Sequence, residues 1–287
     1  MPYLSELSWA QLESGEFEPS RRVVDAPPLK LSFQKFNLGF KAEARLLPNT
    51  TVVGVVADPS TRAHWFGSQL GAGGIATTRS SIELNTIGSA SFYSVGVDEE
   101  QIARRFPAAP DALALLENFQ NRSLAKDPIY AKRLRACMNR AFTENPPPAI
   151  LSGTLIPLLG AALERRDACV VVPSECMNRR VTAVRVCEAY MREHIDATLT
   201  LFDLSAVARM RSRSLINAFE AVTGFSPMQY LKRLRLSGVN RALRRADKRR
   251  TRIIDVAADW GFWHMGHFTN DYRAMFGQTP SQTLLRA

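Results

Sequence analysis

Arg213 and Asn217 stand one helical turn apart in Ser212-Arg213-Ser214-Leu215-Ile216-Asn217-Ala218-Phe219-Glu220-Ala221-Val222, and both address flat, hydrogen-bonding targets. A guanidinium offers paired N–H donors, and a carboxamide offers a donor beside an acceptor. These are the geometries that grip guanine and adenine in a major groove. On a helix Arg213, Ile216, Asn217 and Glu220 share one face, while Leu215, Phe219 and Val222 share the other. The arrangement returns near the C-terminus. There Phe268, Tyr272 and Met275 or Phe276 point one way, and His267, Thr269, Asn270 and Arg273 the other. Contact with phosphate competes with base contact for each side chain, since about half to two-thirds of protein–DNA hydrogen bonds go to the backbone.

To hold such faces out, the chain needs two short helices meeting at a corner, and the pattern supplies that unit twice. Leu201 to Met210, with Leu204, Val207 and Ala208 inward, precedes the first presenting helix, which Thr223-Gly224 closes. Ser226-Pro227 then caps and starts a basic helix to about Arg245, carrying Lys232, Arg233, Arg235, Arg241, Arg244 and Arg245. A hydrated surface is the simplest role for its last three arginines. Ile253, Ile254, Val256 and Ala257 make another short helix ending at Trp260-Gly261-Phe262, and Met265 to Phe276 makes the second presenting helix, stopped by Gly277. A connecting helix of about 19 residues is ~28 Å long, comparable with the ~34 Å turn of B-DNA. Upstream, Val181, Val184, Cys187, Tyr190 and Met191 line one face of a further helix.

The charge agrees with this placement. The 287 residues suit two domains, and the net charge is +10. Residues 1–176 hold 18 basic and 18 acidic groups, whereas residues 177–287 hold 19 and 9. Only the back part is built to meet a polyanion. With 46% hydrophobic and 22% charged residues, the composition is that of a folded protein and excludes a disordered or fibrous one. Cys137, Cys169, Cys176 and Cys187 show neither CxxC spacing nor clustered histidines, so neither a zinc site nor a disulfide framework is expected. The first residues carry no basic-then-apolar leader. The longest apolar run, Ala149 to Leu163, is shorter than the ~20 residues of a membrane span and contains Pro157. A cytoplasmic protein without membrane contact is expected.

Ahead of the basic segment, Leu29–Phe33, Thr51–Val56 and Ser91–Val95 read as strands, separated by turn residues such as Asp58-Pro59 and Gly71-Ala72-Gly73-Gly74. Helical stripes follow at Leu113, Leu116 and Phe119, then at Ile129, Leu134, Cys137, Met138 and Phe142, and a third apolar helix runs towards Arg165. The fold class is therefore an α+β N-terminal domain, residues 1–166, in which an antiparallel sheet folds on itself beside helices. A linker at 167–180 and an all-α domain at 181–287 with two helix-turn-helix units follow. Residues 1–176 contain His64 alone among histidines, and neither P-loop, dinucleotide fingerprint nor nucleophile motif occurs, so an enzyme with catalytic, metal or cofactor sites is not expected. His64, Trp65 and Phe66 with Phe92 and Tyr93 are candidates to line a small-molecule pocket, ordinary core packing being the competing reading.

Gly224-Phe225-Ser226-Pro227-Met228-Gln229-Tyr230-Leu231-Lys232-Arg233-Leu234-Arg235-Leu236, Ile254-Asp255-Val256-Ala257, Trp260-Gly261-Phe262, His267-Phe268, Tyr272-Arg273, Phe276-Gly277 and Thr279-Pro280-Ser281 together resemble the DNA-binding domain of the AraC/XylS regulators. The resemblance covers about Val181 to Leu285. It implies base-facing positions at Arg213, Ile216 and Asn217 in the first unit and at Met265, His267, Thr269 and Asn270 in the second. It also implies a cupin-like N-terminal domain that senses an effector. Three positions depart from the family pattern: Arg211 and His264 stand where a small capping residue is common, and Gly266 where serine is frequent. The expected protein is a bacterial-type transcription activator with operator DNA, a small-molecule effector, RNA polymerase and a second copy of itself as partners. The alternative is a constitutive or architectural DNA-binding protein whose front domain only dimerises.

Overall fold

A computed structural model describes residues 3–105, 123–164, 169–170 and 175–286. They divide into two units. One comprises Met1–Trp9, Pro19–Asn37 and Ala42–Val172, the other Ala10–Glu18, Leu38–Lys41 and Pro173–Ala287. The main division falls between Val172 and Pro173. Two pieces of the first 41 residues nonetheless join the second unit, where the sequence reading gives all of 1–166 to the front domain.

The strands are β1 (Leu4–Gln11), β2 (Ser20–Ala26), β3 (Leu29–Phe36), β4 (Phe40–Leu46), β5 (Thr50–Val56), β6 (Arg62–Trp65), β7 (Ser68–Leu70), β8 (Gly74–Thr78), β9 (Ser81–Ile87), β10 (Ala90–Asp98), β11 (Ser123–Lys126) and β12 (Cys169–Val170). One sheet has the order β1-β4-β9-β6-β7, the other β12-β11-β8-β5-β10-β3-β2. The three strands legible in the sequence are β3, β5 and β10, neighbours in the larger sheet, with Val95 opposite both Leu31 and Val53. β1 and β2 are mostly exposed along their length, so no apolar alternation marks them.

Helix α1 (Glu99–Arg105) follows β10, and α2 (Pro128–Thr143) and α3 (Pro148–Glu164) cover the larger sheet. Asp127 starts α2 by accepting the N–H groups of Ile129 and Tyr130 at 3.0 Å, with proline in the first turn. Leu134, Met138 and Ala141 of α2 and Leu151, Leu155 and Leu159 of α3 pack on Leu31, Val53, Val55 and Val95. Ile129, expected in the inward stripe, is 59% exposed: it lies roughly 140° around the helix from Leu134 and 180° from Met138. The stripe Leu113, Leu116 and Phe119 lies outside the described residues.

The second unit is helical: α4 (Glu175–Glu193), α5 (Leu201–Ala208), α6 (Ser212–Thr223), α7 (Pro227–Leu243), α8 (Ile253–Asp259), α9 (Met265–Phe276) and α10 (Pro280–Leu285). Helices α5–α6 and α8–α9 are the two helix-turn-helix heads, and α7 joins them. Thr200 and Asp203 form a capping box at α5, and Arg209, at φ 51°, turns the first corner. Both α6 and α9 end on a left-handed glycine, Gly224 at φ 80° and Gly277 at φ 70°. Each glycine is followed by the same device: Ser226 with Gln229, or Thr279 with Gln282, forms a capping box ahead of a proline. Leu204, Leu215, Phe219 and Tyr230 centre the first core, and Val239, Leu243, Phe268 and Tyr272 the second. In the second, Asn240 donates to the Tyr272 hydroxyl at 2.7 Å, which donates to Thr283 at 2.9 Å. One buried network thus ties α7, α9 and α10 together.

Candidate nucleic-acid interface

On α6, Leu215, Ala218, Phe219 and Val222 are buried, and this apolar anchoring turns Arg213, Asn217 and Glu220 to the surface, with Ile216 half-buried between the faces. On α9, Phe268, Tyr272, Met275 and Phe276 are buried, and His267, Asn270 and Arg273 are exposed. Met265 and Thr269 are half-buried, and Met265 packs against the second core. The seven residues implied by the family resemblance therefore form two kinds of surface. Arg213, Asn217, His267 and Asn270 project freely, while Ile216, Met265 and Thr269 flank them closer to the helix body.

The starts of these two helices differ from those of the helices that follow the heads. Helices α2, α5, α7 and α10 have side-chain caps, whereas α6 begins at Arg211, α8 at Arg252 and α9 at His264 without one. Ser212, a possible substitute cap, faces the Ser205 hydroxyl at 3.1 Å. The first amides of α6 and α9 therefore look outward with the positive end of the helix dipole behind them, a disposition suited to phosphate. Arg209, Arg211 and Arg213 surround the start of α6, all exposed, and exposed Lys248, Arg249, Arg250 and Arg252 precede α8. The capping departures visible in the sequence thus leave both presenting helices without a side-chain acceptor for their first N–H groups.

Helix α7 fixes the two heads with more than a spacer's contacts. Its 17 residues span about 25 Å. Arg235 donates to the carbonyls of Ile195 and Ala197, in the loop before α5, and its burial depresses the guanidinium below its ordinary value against the opposing pull of Asp196. Gly238 lies under the Trp260 indole: a Cβ there would sit 2.1 Å from Cζ3. Gly261, at φ 74°, has the carbonyls of Ile195 and Asp196 3.0 Å from where a Cβ would lie. The turn of the second head therefore packs directly on the loop that leads into the first. Arg241, expected in a hydrated face, lies partly buried with its guanidinium 6.0 Å from the Trp260 ring centroid. The clue in the sequence was Gly238, an isolated glycine in an otherwise strong helix pattern, which marks a close approach.

The five front-unit candidates do not converge. Trp65 is buried with its ring edge-on to Phe66 at 5.3 Å, whereas neighbouring His64 takes the opposite side of β6 and is only partly buried. Phe92 and Tyr93, adjacent in β10, also face opposite sides. Phe92 meets Phe36, and Tyr93 stacks on Phe142 of α2 and donates to Asn139 at 2.9 Å. Tyr93 is thus a core residue beneath the helices. The sequence reading passed over the polar cluster of the same unit: Tyr3, Ser32 and Ser94 share hydroxyl hydrogen bonds, and Gln34 donates to Ser32 at 2.8 Å. Among the described residues no group of three His, Cys, Asp or Glu side chains suits a metal, and no helix is long and apolar enough to cross a membrane.

A family model described as a helix-turn-helix domain matches residues 204–286, which run from inside α5 through α10. The chain is 37% identical over 95 residues to the XylDLEGF operon transcriptional activator 2 of Pseudomonas putida, covering 33% of this chain and 60% of that protein. Residues 204–286 are a helix-turn-helix domain. A second similar protein is the HTH-type transcriptional regulator ExsA of Pseudomonas aeruginosa, 26% identical over 162 residues, 56% of either chain. Among solved structures, a probable AraC family transcriptional regulator from Rhodopseudomonas palustris is 37% identical, with 37% of this chain and 97% of that one covered at a TM-score of 0.33. The matched stretch spans 60% of the first curated relative's length and 30% of the next.

Proposed function

We propose that this AraC/XylS-type chain is a sequence-specific transcription activator whose helices α6 and α9 enter two successive major grooves on one side of a duplex. The observation that carries the reading is the pair of helices that start without a side-chain cap, each apolar on its buried side and bearing Arg213 and Asn217 or His267 and Asn270 on its exposed one, the first also ringed by Arg209, Arg211 and Arg213. Arg213 would address guanine, and Asn217 and Asn270 adenine. Ile216, Met265 and Thr269 would line the edges of the same contacts. The names of the curated relatives, operon transcriptional activators, support activation as the outcome, with RNA polymerase as the further partner.

The front unit is the sensing part in this reading. The indole N–H of Trp65 is buried without a hydrogen-bond partner among the described residues, a group that a small molecule or water completes, and Nδ1 of His64 is left likewise on the opposite side of β6. Exposed Ile129 on α2 and Ile150 on α3, at 59% and 61%, support pairing of two copies through these helices. The test is titration of a labelled duplex library with the full chain at several salt concentrations. Selective enrichment of one sequence class, with a log–log salt slope of about −0.9 per neutralised phosphate, is expected. Equal affinity for all duplexes at every salt concentration would leave only non-specific binding.

A further inference from the structure

We propose that residues 10–18 and 38–41, encoded far from the helical segment, form a clasp that sets the spacing at which the two heads engage DNA. This inference rests on the DNA-reading function proposed above. The two segments are joined to each other: Leu12 N–H donates to the Gly39 carbonyl at 2.9 Å, Gly39 N–H donates to the Glu13 carboxylate at 2.9 Å, and Phe17 and Phe40 lie 6.1 Å apart. Together they hold three helices. Lys41 forms an ion pair with Glu188 of α4, both side chains at least nine-tenths buried. Leu12 is fully buried in the first head's core beside Leu231 and Leu234, and Arg233 of α7 donates to its carbonyl at 2.6 Å. Ser237, one turn further along α7, donates to the Gln11 carbonyl at 2.8 Å.

The second head is reached at the end of its presenting helix, where Gly15 N–H donates to the Met275 carbonyl at 2.8 Å. The clasp therefore runs from α4 and the first core, along α7, to the C-terminal end of α9. Every group it grips lies on a buried side or at a helix end, so the exposed faces bearing Arg213, Asn217, His267 and Asn270 stay open. It is a brace rather than a cover. Gln11, Leu12, Gly15 and Lys41 are positioning residues for DNA reading, and the clasp ends are the last residues of β1 and the first of β4.

A base pair added between two half-sites moves one by ~3.4 Å and roughly 35°, so braced heads must discriminate spacing. The test uses the full chain and a duplex enriched from a random library by the unaltered protein, together with versions lengthened or shortened by one or two base pairs and a single half-site. Gly15→Pro removes the N–H given to Met275 and cannot adopt the φ of 132° found there. The unaltered chain should lose about tenfold or more in affinity on respaced duplexes, and Gly15→Pro about threefold or less, with single half-site affinity unchanged. Ser237→Ala, which deletes one donor to the clasp and leaves its backbone untouched, should reduce the spacing penalty by a smaller factor. It decides the matter if Gly15→Pro does not fold. A spacing penalty as large in Ser237→Ala, and in folded Gly15→Pro, as in the unaltered chain overturns the inference. An unaltered chain that enriches no duplex overturns instead the function on which it rests.

Discussion

Replacing Gly238 with alanine tests how the heads are joined, because the same change is ordinarily favourable. Alanine in a helix interior is worth up to about 1 kcal/mol over glycine. At Gly238, however, the added Cβ would lie 2.1, 2.2 and 2.3 Å from three Trp260 ring carbons, where carbon atoms settle at about 3.5–4.0 Å. The indole must retreat by roughly 1.5 Å, out of its seat between α7 and the second head. Overpacking of this kind costs about 1–3 kcal/mol, which exceeds the helical gain. Gly266, in the same unit, is the control: nothing lies within 4 Å of its would-be Cβ, and alanine there should be neutral to stabilising by up to about 1 kcal/mol. The two variants should thus differ by about 2 kcal/mol in urea unfolding followed by far-ultraviolet circular dichroism, Gly238→Ala being the weaker. If Gly238→Ala proves as stable as Gly266→Ala, the packing of Trp260 on α7 is not what holds the heads.

Arg213→Ala should cost about 1–3 kcal/mol on the enriched duplex and relax one base preference, measured by competition binding; equal weakening on every sequence would assign Arg213 to phosphate. Tyr272→Phe leaves Asn240 and Thr283 without their shared hydroxyl and should lower stability by about 1–3 kcal/mol in chemical unfolding, so an unchanged midpoint would contradict the network. Burial holds His64 below the ordinary histidine value of about 6.5, so the unfolded chain binds more protons than the folded one just below that pH. Its contribution is complete above about pH 6.5 and is lost as the pH falls towards the depressed value. His64→Gln should flatten the pH dependence of stability between about pH 7 and pH 5, and a slope that survives the substitution would remove His64 as its source.

The double-headed unit was legible because its instructions are local. Gly224 and Gly277 supply left-handed stops, Ser226-Pro227 and Thr279-Pro280 supply starts, and Leu215, Phe219, Phe268 and Tyr272 recur at helical spacing. The strands β3, β5 and β10 were legible for the same reason, each being a short β-branched or aromatic run between turn residues. What stayed hidden depends on distant partners. Nothing in Gln11-Leu12-Glu13-Ser14-Gly15 shows that Leu12 fills a core built around 200 residues later in the chain. In the sequence Arg233 and Arg235 are simply charges on a basic helix, yet Arg233 turns its guanidinium onto the Leu12 carbonyl and Arg235 onto those of Ile195 and Ala197, each using its long apolar stem to cross the surface. Phe92 and Tyr93 look like one pocket wall in the sequence, but strand alternation separates them, and only the helices packed above Tyr93 reveal which side is core.

Hydroxyl-radical footprinting of the full chain on its enriched duplex tests the central claim most directly. Two reading helices held by α7 predict protection flanking two major grooves about one helical turn, roughly 10 base pairs, apart on one face, with Arg213→Ala weakening the first and Asn270→Ala the second. One protected groove that responds to both substitutions, or protection on opposite faces, would contradict it.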